Sequence, residues 1–165
     1  MDKYAAVIAD KMLVNKELVA EDVSFEIPSL ALQTADLKAM GTLSIPMVGL
    51  LDDMQLTITK IGVDRGYAKM SKLEKLDIEL RWVQDKVASD GVVSHQGCKA
   101  FLSVIPKEIP GISAEIGSAT ECSHVYTILR QQIFVNGEEL TCVDRLNQIL
   151  RINGVDYMGE VKRLL

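Results

Sequence analysis

Hydrophobic and polar residues alternate along several stretches of the chain, a pattern that predicts half-buried β-strands. In residues 54–61 the alternation is regular, and one face carries Met54, Leu56, Ile58 and Lys60. Residues 76–87 alternate in the same way and are followed by a predicted type I′ turn at Asp90-Gly91. The strongest hairpin signal is Asn136-Gly137, because this dipeptide favours a tight turn and lies between two apolar runs.

The remaining predicted elements complete a mostly antiparallel fold. Further strands are predicted over residues 12–19 (a hairpin that turns at Asn15-Lys16), 23–34, 42–51, 98–109 and 118–135. Asp64 is a candidate N-cap for a helix over residues 65–73, and a second short helix is predicted from Asp156. About eight strands and two helices place the chain in the α+β class, as one domain over residues 1–165.

Two of the predicted strand pairs are longer than a small domain needs. Residues 24–51 and residues 98–135 each give two strands of about ten residues or more, against the usual five or six. Pro46 in the first pair predicts a sheet edge or a bulge, because proline has no N–H to donate to a neighbouring strand. Strands this long extend past their own core, so we expect them to pair with a neighbouring subunit.

Composition and charge narrow the possible functions. The mean hydropathy of +0.15 is high, yet no apolar run approaches the roughly 18 to 20 residues of a membrane helix, so no stable membrane insertion is expected. Burial between subunits is the expected use of the excess apolar surface. The net charge of -5 argues against nonspecific binding to duplex DNA. Because the chain has three cysteines, at least one is unpaired, which predicts a reducing cytoplasm.

The candidate reactive residues form no recognisable catalytic or metal motif. His95-x-x-Cys98 and Cys122-x-His124 lack the paired ligand spacing of a zinc site. Cys98 and His124 fall on neighbouring predicted strands, which leaves a cysteine-dependent enzyme open, but no helix N-terminus or nucleophile turn adjoins the cysteine. We therefore expect no catalytic residue, no metal and no cofactor, and a structural protein rather than an enzyme.

Two stretches carry short motifs in an order that points to a known family. Residues 22–62 contain, in order, Pro28-Ser29-Leu30, Val48-Gly49-Leu50 and a strand that ends at Gly62. Residues 134–156 contain Asn136-Gly137, Asp144 and Ile152-Asn153-Gly154-Val155-Asp156. With these motifs the sequence resembles the major tail tube protein of contractile-tailed phages and of R-type bacteriocins, over essentially the whole chain.

The resemblance implies a β-sandwich with a flanking helix, and hexameric rings that stack into a hollow tube inside a contractile sheath. In such tubes each subunit adds two long hairpins to a continuous barrel, and residues 24–51 and 98–135 fall where those hairpins are expected. Six subunits that each add two hairpins, or four strands, give a barrel of roughly 24 strands. At ~4.8 Å spacing and ~40° tilt this barrel is about 48 Å across. Side chains leave a bore of about 38 Å, which is wide enough for a DNA duplex.

The period of two along a strand then assigns the two faces of each hairpin. Leu30, Leu32, Leu43 and Ile45 are expected to face the core of the subunit, and the polar residues between them to face the bore. The predicted channel-lining residues are Gln33, Thr34, Asp36, Thr42, Ser44, Lys107, Glu108, Glu115, Thr120 and Glu121. An acidic or neutral polar lining lets nucleic acid slide, because it does not attract phosphate.

The implied partners are further copies of the chain, the tail sheath protein, and the baseplate and tail terminator proteins, with DNA in the lumen if the particle is a phage. The expected location is a virion tail or a bacteriocin particle that is assembled in the bacterial cytoplasm. Two alternatives stay open, namely a terminator or adaptor ring of the same fold family and the small cysteine-dependent enzyme. Self-association distinguishes the three, as a polymer, a single ring or a monomer.

Overall fold

One large antiparallel sheet holds most of the chain in the computed structural model, which describes residues 1–165. The strands of the chain are β1 (Lys3–Val14), β2 (Glu17–Glu21), β3 (Ser24–Glu26), β4 (Leu32–Lys38), β5 (Thr42–Leu51), β6 (Gln55–Ile61), β7 (Leu76–Val87), β8 (Val93–Glu108), β9 (Glu121–Val135), β10 (Glu138–Asp144), β11 (Ile149–Ile152) and β12 (Val155–Asp156), and all except β4 and β5 belong to the large sheet. The helices are α1 (Arg65–Met70) and α2 (Gly159–Arg163), and neither has the length and apolar character needed to cross a membrane. The predicted α+β class is confirmed.

The long strand β9 joins two parts of the ten-stranded sheet. Along one part the strands are ordered β12-β11-β10-β9-β8-β7-β1-β2. β8 pairs with one edge of β9, while β6 and β10 share the opposite edge, β6 along its first half and β10 along its second half. β3 extends the second part by pairing with β6. The sheet therefore covers the core from more than one side, as an antiparallel sandwich that does not close.

The core lies on the inward faces of the central strands. The alternation predicted for residues 54–61 is confirmed, since every second side chain is buried, and that predicted for residues 76–87 is confirmed over residues 76–80, whereas residues 82–87 are all partly exposed. The buried residues of these two stretches are Met54, Leu56, Ile58, Lys60, Leu76, Ile78 and Leu80. Lys60 is tolerated there because its ammonium lies 3.0 Å from the Asp64 carboxylate. Trp82, which the alternation places on the same face, is only partly buried and packs on Phe25 with 5.3 Å between ring centroids.

Helix α1 closes one side of the core. Asp64 is the predicted N-cap, and its carboxylate accepts a hydrogen bond from the Gly66 N–H at 2.8 Å. The helix ends at Met70 rather than at the predicted residue 73. The Ser71 hydroxyl donates to the Tyr67 carbonyl at 2.7 Å, which satisfies a backbone acceptor in the last turn and terminates the helix there.

His124 connects this helix to the sheet. Its Nε2 atom lies 3.0 Å from the Ser71 hydroxyl, and burial lowers the pKa of His124 below its ordinary value. The neighbouring Tyr126 donates a hydrogen bond to the Met70 carbonyl at 2.8 Å. The imidazole is therefore neutral near pH 7 and contributes to packing and hydrogen bonding beneath α1.

The tight turns follow the dipeptides that the sequence offers. Asn136 and Gly137 have φ angles of 50° and 79°, as the predicted type I′ turn requires, and the hairpin at Asn15-Lys16 is also confirmed. At Asp90-Gly91 only Gly91 has a positive φ, so the turn is in the predicted place but is not type I′. Asn153-Gly154 forms a further tight turn between β11 and β12 that was not predicted.

Several predicted boundaries are wrong in detail. The structure has twelve strands rather than about eight. The strand predicted over residues 23–34 is two separate strands, β3 and β4. The chain between them, around Pro28, is not paired in a sheet. The C-terminal helix begins at Gly159 rather than at Asp156, whose carboxylate accepts a hydrogen bond from the Met158 N–H at 3.0 Å. Residues 3–11 of β1 were not predicted as strand.

Candidate assembly surfaces

The hairpin of β4 and β5 stands apart as a separate two-stranded sheet. Residues 39–41 join its strands, and the outer edge of each strand has no partner strand. Two strands alone are marginally stable in water, and unpaired edges present free N–H and C=O groups to other chains. This hairpin is therefore a surface that association with another subunit would complete.

The strand register gives the hairpin one polar and one apolar face. Opposite pairs on the polar face are Asp36 with Ser44 and Lys38 with Thr42, and those on the apolar face are Leu37 with Leu43 and Ala35 with Ile45. The expectation that Leu43 and Ile45 face the core is wrong, since they are 47% and 42% exposed. Because the outer half of the hairpin extends beyond the main sheet, neither of its faces meets the core there, and of the four residues expected to face the core only Leu30 and Leu32, near the base, are partly buried.

The hairpin has a bulge near Pro46, as predicted. Pro46 lies opposite Thr34, and the register shifts between Thr34 and Leu32, so that Leu32 lies opposite Leu51. Proline interrupts hydrogen bonding on one edge of β5, and a bulge accommodates the mismatch between the two strands. The regular ladder therefore covers only the outer half of the hairpin.

The base of the hairpin is fixed to the turn between β10 and β11. The Arg145 guanidinium donates two hydrogen bonds, to the Asp52 carbonyl at 2.6 Å and to the Leu51 carbonyl at 2.8 Å. Gly49 has a φ of +106°, and a Cβ atom placed there would lie 2.9 Å from the Met158 sulfur. The positive φ favours glycine at this position, and the Met158 side chain packs closely against it.

The second long strand pair, β8 with β9, is built differently from the first. Its strands have 16 and 15 residues, which confirms the predicted length of about ten or more although their bounds differ from residues 98–109 and 118–135, whereas β4 in the first pair has only seven. The expectation that both pairs need a neighbouring subunit is wrong for β8 and β9, because β7, β6 and β10 cover their edges over most of their length. Only the β4–β5 hairpin forms a free-standing sheet in the subunit.

The predicted channel-lining residues fall into separate groups. Thr34, Asp36, Thr42 and Ser44 share the polar face of the hairpin, whereas strand alternation puts Gln33 on the other face. Glu115 lies in the loop over residues 109–120 rather than on a strand, so the period of two does not orient it. Facing the bore stays a prediction for all ten residues.

Lys107 is the member of the second group that approaches the first hairpin. Its ammonium lies 3.5 Å from the carboxylate of Asp53, which follows the hairpin base. A hydrogen bond from Gln55 and the charge of Lys107 lower the pKa of Asp53. The other members of this group lie elsewhere. Glu108 is the last residue of β8, and Thr120 is partly buried. Glu121 pairs with Ile61 at the end of β6 that is farther from the hairpin base, about 20 Å from Gln55.

The structure contradicts the geometry that a Cys98–His124 nucleophile pair needs. The two residues do lie on neighbouring strands, but Cys98 is opposite Val135, eleven positions from His124 along β9. At the rise of a β-strand this is about 35 Å. Burial also raises the pKa of the Cys98 thiol, which disfavours the reactive thiolate. No group of three or more His, Cys, Asp or Glu side chains is arranged to hold a metal ion.

All three cysteines are unpaired and buried, at 4% exposure for Cys98 and 0% for Cys122 and Cys142. We expect a thiol reagent such as Ellman's reagent to modify none of them in the folded protein and all three after denaturation, because the reagent needs an accessible thiolate. The absorbance of the chromophore that the reagent releases, with and without denaturant, measures the number of reactive cysteines in the unfolded and in the folded protein. Rapid labelling of one cysteine in the folded chain would show that its strand is not packed as described.

A β-rich fold with an uncovered two-stranded hairpin is typical of a structural subunit that completes its sheets by association. The family model of phage tail tube protein FII matches residues 9–165, and the chain belongs to this family. The resemblance found in the sequence is thereby confirmed, and the chain has the structural role of a tail tube protein. Among curated protein sequences, none matches the chain.

The fold is similar to that of a solved contractile machine. A chain of the PVC sheath-tube complex in the extended state, from a cryo-EM structure of an extracellular contractile injection system, superposes with a TM-score of 0.51. The two sequences are 14% identical, and the match covers 76% of this chain and 87% of that chain. At this identity the likeness concerns the fold.

Proposed function

We propose that this chain is the major subunit of the inner tube of a contractile tail, in which hexameric rings stack around a channel for DNA or ions. The observation that carries the proposal is the β4–β5 hairpin, whose edges and apolar face have no partner within the subunit. Closing such hairpins into a barrel shared by several subunits pairs the edges and buries the apolar face. Family membership and the injection-system fold support this assignment.

In the assembled tube the polar face of the hairpin lines the channel. Thr34, Asp36, Thr42 and Ser44 then face the bore, while Leu37 and Leu43 face protein. This orientation follows from the hydrophobic effect, because the apolar face gains from leaving water and the polar face does not. Lys107 forms an ion pair with Asp53 next to the hairpin base, so in this proposal it lies at the edge of the channel surface.

The proposed partners are further copies of the chain in the ring and in the next ring, a surrounding sheath, and baseplate and terminator proteins at the tube ends. DNA occupies the lumen if the particle is a phage. The chain acts as one tail-tube domain over residues 1–165, in a tail particle that is assembled in the bacterial cytoplasm. The similarity to a chain of a sheath-tube complex supports the sheath as a partner.

Negative-stain electron microscopy of the purified chain tests the proposal. We expect closed rings of one diameter, and stacks of rings at higher protein concentration. Rings that never stack would instead identify a terminator or adaptor ring of the same fold family. A monomer of 18.2 kDa at all concentrations, with no rings on the grid, would contradict both assignments.

Asp36→Lys is expected to leave the tube intact but to retain nucleic acid inside it. The residue is exposed on the polar face, so the change costs little stability, and it adds a ring of positive charge to each layer of the channel. Purified tubes should then carry nuclease-resistant nucleic acid, measured by the ratio of absorbance at about 260 and 280 nm. Glu160→Lys, an equal charge change on exposed helix α2, is the control. Equal retention by both variants, or nucleic acid that nuclease removes, would place Asp36 outside the channel.

A further inference from the structure

A mostly apolar groove of about 600 Å³ runs across β1, β7 and β8 to the Asn136-Gly137 turn of the main sheet. Its floor is lined by Phe101 and Phe134, whose rings meet edge to face with 5.6 Å between centroids. Gly97 on β8 leaves part of the floor open, because it has no side chain and no heavy atom of a neighbouring residue fills the space a Cβ would take. A glycine inside a strand often marks a place where another chain approaches closely.

Three cations lie side by side along this groove. Lys11 on β1 is opposite Arg81 on β7, Arg81 is opposite Lys99 on β8, and Phe134 on β9 ends the row. Like charges directly opposite each other on a sheet are destabilising. Lys11 and Arg81 have partners in Glu21 and Glu79, whereas Lys99 makes no ion pair within the subunit. Asp10 also lines the groove, and its carboxylate accepts a hydrogen bond from the Val23 N–H, so Lys99 is the cation left without an ion pair beside the partly exposed rings of Phe101 and Phe134.

The loop over residues 109–120 carries acidic and apolar side chains, which complement the basic and aromatic side chains of the groove. From Glu108 to Glu121 the sequence contains three glutamates and no lysine, arginine or histidine. Ile112 and Ile116 in this loop are 58% and 104% exposed. Loops of about twelve residues without regular structure are uncommon in compact domains and are usually functional.

The loop cannot reach the groove of its own subunit. Gly97 in the groove and Glu108 at the start of the loop are eleven residues apart on one continuous strand, which is about 35 Å. The loop is held at its two ends, where the Tyr67 hydroxyl donates to the Pro110 carbonyl at 2.6 Å and the Gly62 N–H donates to the Thr120 carbonyl at 2.7 Å. A loop of this length extends at most about 20 Å from such a base.

We propose that the 109–120 loop of one subunit binds the Lys99 groove of a subunit in the adjacent ring, with Glu115 opposite Lys99 and Ile116 against Phe134. Loop and groove lie at opposite ends of β8, so the contact is head to tail and repeats from ring to ring without closing. This inference rests on the proposed tube function, since it assigns the contact by which rings stack. In this proposal Glu115 lies at the contact between rings rather than in the channel, and the polar face of the β4–β5 hairpin lines the channel.

A charge exchange tests the contact. Lys99→Glu and Glu115→Lys each place like charges at the interface, and we expect each to raise the protein concentration at which rings stack by about tenfold. The double variant restores the opposite charges and should return stacking toward that of the unchanged protein. Negative-stain microscopy counts single rings and stacks, and sedimentation velocity measures them in solution. Lys72→Glu, an equal charge change at an exposed position outside the groove, is the control.

The possible outcomes separate this inference from the proposed function. Single rings from both single variants, with stacks from the double variant, would support the loop-in-groove contact. Normal stacking by Lys99→Glu or Glu115→Lys would overturn it while leaving the tube function intact. An unchanged chain that forms neither rings nor stacks would overturn the tube function and this contact together. Because both positions are exposed, unfolding is not expected, and circular dichroism of each variant verifies the fold.

Discussion

A double variant with Leu37→Gln and Leu43→Gln is expected to fold normally and to lose assembly into rings. The two leucines lie opposite each other on the apolar face of the hairpin and are 51% and 47% exposed in the subunit. Their replacement therefore creates no cavity in the core. In the ring, burial of the exposed half of each leucine contributes about 0.8–1.5 kcal/mol, so the loss of both should lower the association constant by at least about tenfold.

Lys38→Gln with Thr42→Gln is the matched control for this change. These residues form the adjacent opposite pair of the same hairpin but lie on its polar face. Sedimentation velocity of both double variants over a range of concentrations compares their assembly, and circular dichroism verifies that both fold. Equal assembly of the two variants would show that the apolar face is not the surface that subunits bury.

Arg145→Met is expected to release the hairpin from the body of the subunit without unfolding it. The two hydrogen bonds from the guanidinium to the carbonyls of Leu51 and Asp52 join parts of the chain that are more than ninety residues apart. Hydrogen bonds to a charged group contribute about 1.5–3 kcal/mol, which corresponds to a fall in Tm of roughly 4–10 °C. Because ring closure needs a fixed hairpin, assembly should also weaken.

Hydrogen exchange measures this release directly. Amide protection over residues 32–51 should fall in Arg145→Met, while protection of β7 and β8 should not change. Arg65→Met is the control, because Arg65 is exposed and makes no side-chain hydrogen bond or ion pair in the structure. Unchanged exchange over residues 32–51 would show that the packing of Gly49 on Met158 fixes the hairpin without the arginine.

Local patterns in the sequence were enough to predict the elements that have one buried face. The strand over residues 76–87 was predicted with its observed bounds, because a regular period of two is enforced by the core. The turns at Asn15-Lys16 and Asn136-Gly137 were predicted because they depend on local backbone preferences. The cap at Asp64 was predicted for the same reason.

The sequence could not predict features that depend on distant parts of the chain. Residues 3–11 of β1 pair with β7 through a register that shifts twice, and their exposed side chains show no regular alternation. The apolar face of the hairpin was wrongly expected to lie on the core, because the period of two shows which residues share a face but not whether a core lies beneath it. Asn153-Gly154 was a hairpin signal of the same kind as Asn136-Gly137 and was not used.

The candidate assembly surfaces were only partly visible in the sequence. The alternation of polar and apolar residues around Pro46 predicted where the β4–β5 hairpin lies and which of its residues are polar. Gly49 in an apolar strand was an available sign of close approach between backbone and a neighbouring side chain. Nothing local identified Arg145 as the residue that holds the hairpin base, or Lys11, Arg81 and Lys99 as neighbours, because their proximity is created by pairing between strands far apart in sequence.

Pro46 has a consequence for the time between synthesis and assembly. A newly made subunit exposes a hairpin with apolar side chains and free edges, which is the kind of segment that aggregates when several copies meet in the wrong register. Pro46 removes one donor from β5, so a foreign strand that aligns along this stretch cannot form a continuous ladder. The proline thereby acts as a gatekeeper against pairing of the free hairpin with a foreign strand.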